Sequence, residues 1–186
     1  LTDQRFNEYG LTGCITLYNS IFQNTKIEAR GGVCEDSINI LSSVGRLRSI
    51  SIGGAFADAL DIDFSSLDIA DVNVWDAGND CVDLSKGKYQ FKKLVLKDCG
   101  DKGVSVGEAS SLVIDEILLS TAEIGVSSKD YSTATISTAQ IKNTTICAEA
   151  FQKKQEFGGA KLRITKISCS GLIKVDKNSA YEGPIP

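Results

Sequence analysis

Hydrophobic residues in this chain recur in pairs separated by one residue, and the pairs recur every 22 residues. Leu60 and Ile62 form one such pair, directly after Asp58. Segments with the same frame open at residues 36, 58, 80, 102, 124 and 146, and five equal intervals are very unlikely to arise by chance. The sequence therefore predicts a repeat protein. The equivalent hydrophobic residues are Ile38/Ile40, Val82/Leu84, Val104/Val106, Val126 and Ala148/Ala150.

Further alternating runs follow the first pair within each repeat, for example Leu67/Ile69 and Val72/Val74. Alternation with a period of two is typical of β-strands, and no window carries a helical period. Three short strands in 22 residues, separated by polar corners, are typical of one rung of a parallel β-helix, a rung being one full circuit of the chain. We therefore predict an all-β, right-handed parallel β-helix (solenoid) of about seven rungs.

The whole chain, residues 1–186, has the size of one domain. Residues 1–12 lack the repeat and are predicted to cap the first rung, residues 13–175 form the rungs, and residues 176–186 are a cap or linker. An insertion over residues 152–159 follows the first strand of its rung, and insertions in solenoids often line the working face. Leu1 is not an initiator methionine, and no signal sequence or membrane-length apolar run is present. We interpret the chain as a mature or excised piece without membrane insertion.

Composition narrows the classes of function. The formal net charge is −4, so nucleic acid is not an expected partner. The chain contains no histidine, which excludes His-based triads, histidine general bases and most zinc sites. Catalysis, if present, would have to use carboxylates, lysines or hydroxyl groups.

Six cysteines form an even set, which is consistent with an oxidising compartment. Strands on adjacent rungs lie ~4.8 Å apart, so two cysteines about one rung apart in sequence are stacked neighbours at a distance that suits a disulfide. This spacing predicts the bridges Cys14–Cys34, Cys81–Cys99 and Cys147–Cys169. The alternative is that some of these residues are reduced core cysteines.

The residues between inward-pointing pairs face outward, and residues 22 apart stack on successive rungs. The chain has eight aspartates and no Lys, Arg or Glu between Arg48 and Lys86. Five of these aspartates are predicted to crowd one face across two rungs. The three columns are Asn39, Asp61, Asp83, Ser105, Ser127, Glu149; then Leu41, Asp63, Ser85, Gly107, Lys129, Phe151; and Asp36, Asp58, Asp80, Lys102.

Two carboxylates stacked about 5 Å apart repel by about 0.8 kcal/mol in water and about 3 kcal/mol at an effective dielectric constant of 20. A bound Ca²⁺ could offset this repulsion, since Ca²⁺ takes carboxylate, carbonyl and water oxygens. A raised pKa on one partner, as in an acid–base pair, or nearby lysines could also offset it. Alternatively, the opening aspartates, such as Asp36 and Asp58, only cap tight corners.

The segment Gly78–Ser85 (GNDCVDLS), with Ala57–Phe64 (ADALDIDF) one rung earlier, resembles the acidic motifs of pectin-lyase-like β-helices. It looks most like the calcium-dependent pectate lyases and, more loosely, the polygalacturonases, whose histidine is absent here. The resemblance implies that aspartates of neighbouring rungs hold Ca²⁺ against a uronate and that a Lys or Arg on the next rung removes the α-proton. By position, the Ca²⁺ ligands would be Asp58, Asp80 and Asp83. Ser105 stands where the base is expected, so Lys102 would have to substitute.

Two further residues are candidate substrate contacts. Trp75 follows Val74 and should face outward, where an indole can stack on a sugar ring. It could equally cover the flank of the solenoid. Lys129 lies on the outward column that contains Asp63.

These observations leave two hypotheses of different classes. The first is a secreted or cell-surface module that binds or presents to polysaccharide through an acidic face, with Ca²⁺ as a candidate ligand. The second is a polysaccharide lyase acting on an acidic glycan, with Lys102 as base. A variant of the second is a glycoside hydrolase that uses Asp61 and Asp83 as its paired carboxyl groups.

Overall fold

Residues 6–186, which the computed structural model describes, form sixteen β-strands and no helix. None of these residues lies in a helix of the length and hydrophobicity needed to cross a membrane. The strands are β1 (Gly13–Tyr18), β2 (Ile21–Arg30), β3 (Asp36–Leu41), β4 (Val44–Ala55), β5 (Asp58–Asp63), β6 (Ser66–Ala77), β7 (Val82–Ser85), β8 (Lys88–Cys99), β9 (Lys102–Gly107), β10 (Ser111–Ser120), β11 (Ile124–Lys129), β12 (Thr133–Lys142), β13 (Ile146–Phe151), β14 (Lys161–Ser168), β15 (Leu172–Val175) and β16 (Ala180–Glu182).

The strands stack in two parallel eight-stranded sheets. Sheet A contains the odd-numbered strands β1 to β15 in order, and sheet B contains the even-numbered strands β2 to β16. Each rung contributes one strand to each sheet, so the chain makes eight rungs, numbered here in chain order. The prediction of an all-β parallel β-helix with a 22-residue repeat is confirmed, with eight rungs in place of about seven.

The predicted division of each rung into three strands is wrong. The second and third predicted strands form one strand in sheet B, as in β6, where both apolar pairs are buried. Ile69 and Val72 are three residues apart, so the alternation breaks between them while the strand pairing continues. A local change in the alternation therefore stood for an irregularity within one strand and not for a gap between two.

The stacking register follows the predicted spacing. Asp61 pairs with Asn39 on one side and with Asp83 on the other, and each step is 22 residues. Lys88 pairs with Ser111, which reflects one extra residue after Gly107, and Thr133 pairs with Lys161 because of the insertion over residues 152–159. Inward-facing aliphatic side chains of both sheets form one continuous buried core along the solenoid.

The ends of the chain differ in how far they can be compared with the predicted caps. Residues 1–5 of the predicted N-terminal cap lie outside the described residues, while residues 6–12 contain a turn, with Asn7 accepting hydrogen bonds from the backbone of Tyr9 and Leu11. Within the predicted C-terminal cap, Ala180–Glu182 forms β16 and pairs with β14. Part of that segment therefore belongs to the eighth rung.

All three predicted disulfides are present, and residues 6–186 contain no free cysteine. Each bridge joins the beginning of a rung to its end, in rung 1 (Cys14–Cys34), rung 4 (Cys81–Cys99) and rung 7 (Cys147–Cys169). Three bridges of this kind indicate an oxidising environment.

Candidate functional site

Aspartates from β5 and β7 meet on the outer face of sheet A. Asp61 pairs with Asp83, and Asp63 pairs with Ser85, so four polar side chains occupy a block two rungs high. All four are partly exposed, whereas Asn39 and Ser105, which precede and follow Asp61 and Asp83 in the same column, are buried. We call Asp61, Asp63, Asp83 and Ser85 the acidic patch.

Asp61 has the most perturbed environment in the acidic patch. Burial raises its pKa to about 9, and the charges of Asp63, Asp36 and Asp83 act in the same direction. The side-chain amide of Asn39 donates a hydrogen bond of 3.0 Å to Asp61 Oδ2. At neutral pH Asp61 is therefore a carboxylic acid, able both to donate and to accept hydrogen bonds.

Asp63 and Asp83 flank this acid. Burial raises the pKa of Asp63 to about 6, although side-chain hydrogen bonds with Asn39 and Asp61 lower it. The Asp83 carboxyl group accepts a hydrogen bond of 3.0 Å from the backbone amide of Leu84 and keeps its other oxygen free of such bonds. The patch thus places a neutral acid beside further carboxyl groups, which is the arrangement of an acid–base pair.

The opening column acts mainly as a set of corner caps. Asp58 Oδ1 accepts hydrogen bonds from Asn79 Nδ2 (2.7 Å) and from the backbone amide of Asp80 (2.8 Å), and Asp80 Oδ1 accepts one from the backbone amide of Lys102 (3.0 Å). Burial raises the pKa of Asp58, and it raises that of Asp80 to about 7 against the opposing charge of Lys102. Both carboxyl groups are buried, as the corner-cap alternative predicts.

These contacts bear on the predicted Ca²⁺ ligands Asp58, Asp80 and Asp83. One oxygen each of Asp58 and Asp80 is already occupied by hydrogen bonds within the protein. Within residues 6–186, no group of three or more Asp, Glu, Cys or His side chains is arranged to hold a metal ion. A Ca²⁺ site is therefore not pre-formed, and the Ca²⁺ prediction still rests on charge density and the motif resemblance.

Lys102, the predicted base, lies in a carboxylate environment. Its ammonium group is 3.5 Å from Asp80 Oδ1 and also contacts Asp101. Burial acts to lower the pKa of Lys102, but the hydrogen bond and charge of Asp101 and the charge of Asp80 outweigh it, and the pKa is raised. A lysine base needs the opposite shift, so these surroundings do not favour proton abstraction by Lys102.

Lys129 reaches the column of Asp61 and Asp83 from the neighbouring column. Its side chain is 7% exposed, and its ammonium group donates a hydrogen bond of 2.7 Å to Ser105 Oγ, directly beyond Asp83. Gly107 lies next to this side chain, and a Cβ there would be 3.7 Å from Lys129 Cε. The sequence listed Lys129 as a substrate contact but missed this position. Gly107, 22 residues earlier, was the available signal that a long side chain could fold over.

A second hydrogen bond extends the same column, from Ser127 Oγ to Glu149 Oε1 (2.7 Å). The insertion lies beside it, since the buried Asp130 accepts hydrogen bonds from the backbone amides of Lys153 (2.7 Å) and Lys154 (2.8 Å). The Lys154 ammonium group contacts Glu108. The insertion is therefore held against the corner that follows sheet A.

Trp75 lies on the other sheet. It is in β6, stacked on Gly53, and a Cβ at Gly53 would be 2.2 Å from the indole. The Arg30 guanidinium carbon is 5.9 Å from the ring centroid. The structure does not bring Trp75 into the acidic patch, and these contacts match the alternative in which the indole covers the flank of the solenoid.

Comparison with known proteins adds no family to these observations. No family model, curated protein or solved structure matches the chain.

Proposed function

We propose that this protein is an extracellular module that binds polysaccharide through the acidic patch on sheet A. The observation that carries the proposal is the stacking of Asp61 on Asp83 and of Asp63 on Ser85, all partly exposed. Neighbouring hydroxyl groups of a sugar are donors and acceptors at short, fixed spacing. A block of carboxyl and hydroxyl groups repeated at ~4.8 Å along the axis matches such a ligand.

The chemistry of each side chain supports this use. Asp61 is neutral at neutral pH because of its raised pKa and can donate its proton to a sugar oxygen. Asp83 has an oxygen available to accept a hydrogen bond, and Ser85 can do both. Lys129, next along the column, adds N–H donors beyond the one used by Ser105.

The three disulfides support secretion or display at the cell surface, because such bridges persist in oxidising environments. The motif resemblance to pectin-lyase-like proteins agrees with the parallel β-helix and with a carbohydrate ligand.

A glycoside hydrolase is the second candidate, and the pKa of Asp61 favours it. A carboxyl group that stays protonated at neutral pH is suited to protonate a leaving oxygen, with Asp83 as nucleophile or base. The lyase alternative has less support, because Lys102 is paired with Asp80 and Asp101.

The test combines binding and turnover. Isothermal titration calorimetry against neutral and acidic polysaccharides should show binding that Asp61→Asn and Asp83→Asn each weaken. Asp71→Asn, the same change on the exposed face of sheet B, should leave it intact. Release of reducing ends would establish the hydrolase, and an ultraviolet-absorbing product would establish a lyase. If no polysaccharide binds, or all three variants behave alike, the proposal fails.

A further inference from the structure

A groove runs along the solenoid axis at the corner where sheet A passes into sheet B. Its floor is a column of paired residues on four rungs: Val44, Ser66, Lys88 and Ser111. Two adjoining cavities of about 500 and 640 Å³ share these four residues, so they form one continuous depression. We call it the corner groove. It lies beside the acidic patch, since Phe64 on its wall directly follows Asp63.

The charge of the corner groove is opposite to that of the acidic patch. Arg46, Lys86 and Lys88 line it, and neither Lys86 nor Lys88 forms an ion pair with any residue in the range 6–186. The carboxylates on its walls are already partnered: Asp68 lies 3.4 Å from Arg46, and Glu108 contacts Lys154. The groove therefore has an excess of positive charge.

The corner groove also offers an apolar platform. Phe64 is 57% exposed and adopts φ +50°, a left-handed conformation that places it at the corner. The Lys86 ammonium group lies 5.6 Å from the centroid of its ring. An exposed aromatic face beside cations and serine hydroxyl groups is suited to a sugar ring that carries a negative group.

We propose that the corner groove is a second binding site, for a saccharide unit with a carboxylate or sulfate group. The anionic group pairs with Lys86 and Lys88, the sugar ring packs against Phe64, and Ser66 and Ser111 contact its hydroxyl groups. The acidic patch would repel such a group, so the two sites bind different units of one glycan. This inference rests on the proposed function in that the ligand is a glycan.

The test is calorimetric titration of the whole chain with polygalacturonate, dextran sulfate and neutral dextran at 50 and 150 mM NaCl. The variant Lys86→Gln/Lys88→Gln should bind at least one anionic probe about tenfold more weakly. Its matched control is Lys92→Gln/Lys97→Gln, which removes two charges from β8 outside the groove and should bind like the wild type. Phe64→Ala should weaken binding in the same direction. The two anionic probes distinguish carboxylate from sulfate.

Three results would overturn the inference. The first is wild-type protein that binds neither anionic probe. The second is equal weakening in Lys86→Gln/Lys88→Gln and its control, which would indicate nonspecific charge attraction. The third is a self-associated wild type that Lys86→Gln/Lys88→Gln converts to monomer in sedimentation, which would make a second copy of the chain the occupant. Binding of neutral dextran that depends on Asp61 and Asp83 would keep the proposed function even if this inference fails.

Discussion

The Tyr89 hydroxyl group fills the space that Gly87 leaves at the corner after sheet A. A Cβ at residue 87 would lie 2.1 Å from this oxygen. On the neighbouring rungs a buried serine stands at the equivalent position, with Ser65 Oγ 2.7 Å from the Asp63 carbonyl and Ser110 Oγ 2.7 Å from the Gly107 carbonyl. Tyr89 Oη takes over this task, at 2.9 Å from the Ile62 carbonyl and 2.8 Å from that of Ser85.

Tyr89→Phe should lower the free energy of unfolding by about 1–3 kcal/mol, because it removes the only side-chain donor to two carbonyl oxygens beneath the acidic patch. Urea unfolding measures the change. Tyr131→Phe is the matched control, since the Tyr131 side chain is 61% exposed and should tolerate the same deletion. Equal stability of Tyr89→Phe and the wild type would show that this hydroxyl group is not needed at the corner.

The stability of the protein should fall as the pH rises from 4 to 9. The pKa values of Asp36 and Asp63 are raised to about 6, that of Asp80 to about 7 and that of Asp61 to about 9, from an ordinary value of about 3.9. A raised pKa means that the folded state holds the proton more tightly, so the stabilisation is complete below pH 4 and is lost as each group ionises. Thermal unfolding across this range measures the trend.

Asp61→Asn provides the control for this pH dependence. It should flatten the fall between pH 7 and 9, where only Asp61 among these four groups titrates, and leave the fall below pH 7 in place. A melting temperature of the wild type that increases from pH 5 to pH 8 would contradict the assigned environments.

Lys129→Met should weaken glycan binding without lowering the melting temperature. Methionine keeps the aliphatic packing beside Gly107 and removes a buried ammonium group whose one hydrogen bond goes to Ser105. Calorimetry and thermal unfolding on the same sample separate the two effects. Unchanged affinity would remove Lys129 from the binding face, and a loss of several degrees would make its role structural.

Ca²⁺ addition or chelation with EDTA should leave the melting temperature unchanged at pH 7. Asp58 and Asp80 already bind backbone and side-chain groups of the protein, and the neutral form of Asp61 reduces repulsion in the acidic patch without a metal. A rise in melting temperature with Ca²⁺ that Asp83→Asn abolishes would establish the calcium site expected from the motif resemblance.

The disulfides should react with reductant in an order set by their exposure. Cys14 is exposed at the first rung, whereas Cys81 is 0% and Cys99 is 4% exposed. Mild dithiothreitol followed by alkylation and mass spectrometry should label Cys14 and Cys34 first and Cys81 and Cys99 last. Early labelling of Cys81 would show that the middle of the solenoid opens more readily than its first rung.

The strict 22-residue period allowed the fold, the stacking of Asp61 on Asp83 and all three disulfides to be predicted. In a solenoid, sequence distance converts directly into neighbourhood, so one period determines the register of every column. The number of strands per rung was not predictable in the same way, because a break in alternation looks the same at a bend and at a gap.

The contacts that set the chemistry of the site depend on where long side chains go, which the period does not determine. Lys129 crosses from its own column to Ser105, and Tyr89 fills the space above Gly87. Each uses a neighbouring glycine. The raised pKa of Asp61 likewise comes mainly from burial, and an outward position in the repeat gave no sign of it.

The three disulfides close rungs 1, 4 and 7 and leave two open rungs between successive closed ones. Under a pulling force applied to the two ends of the chain, the residues inside each closed rung are shielded from the load by the sulfur–sulfur bond. Only the open rungs can extend, so the stretched molecule is shorter than its residue count would allow until a reducing agent releases the hidden length.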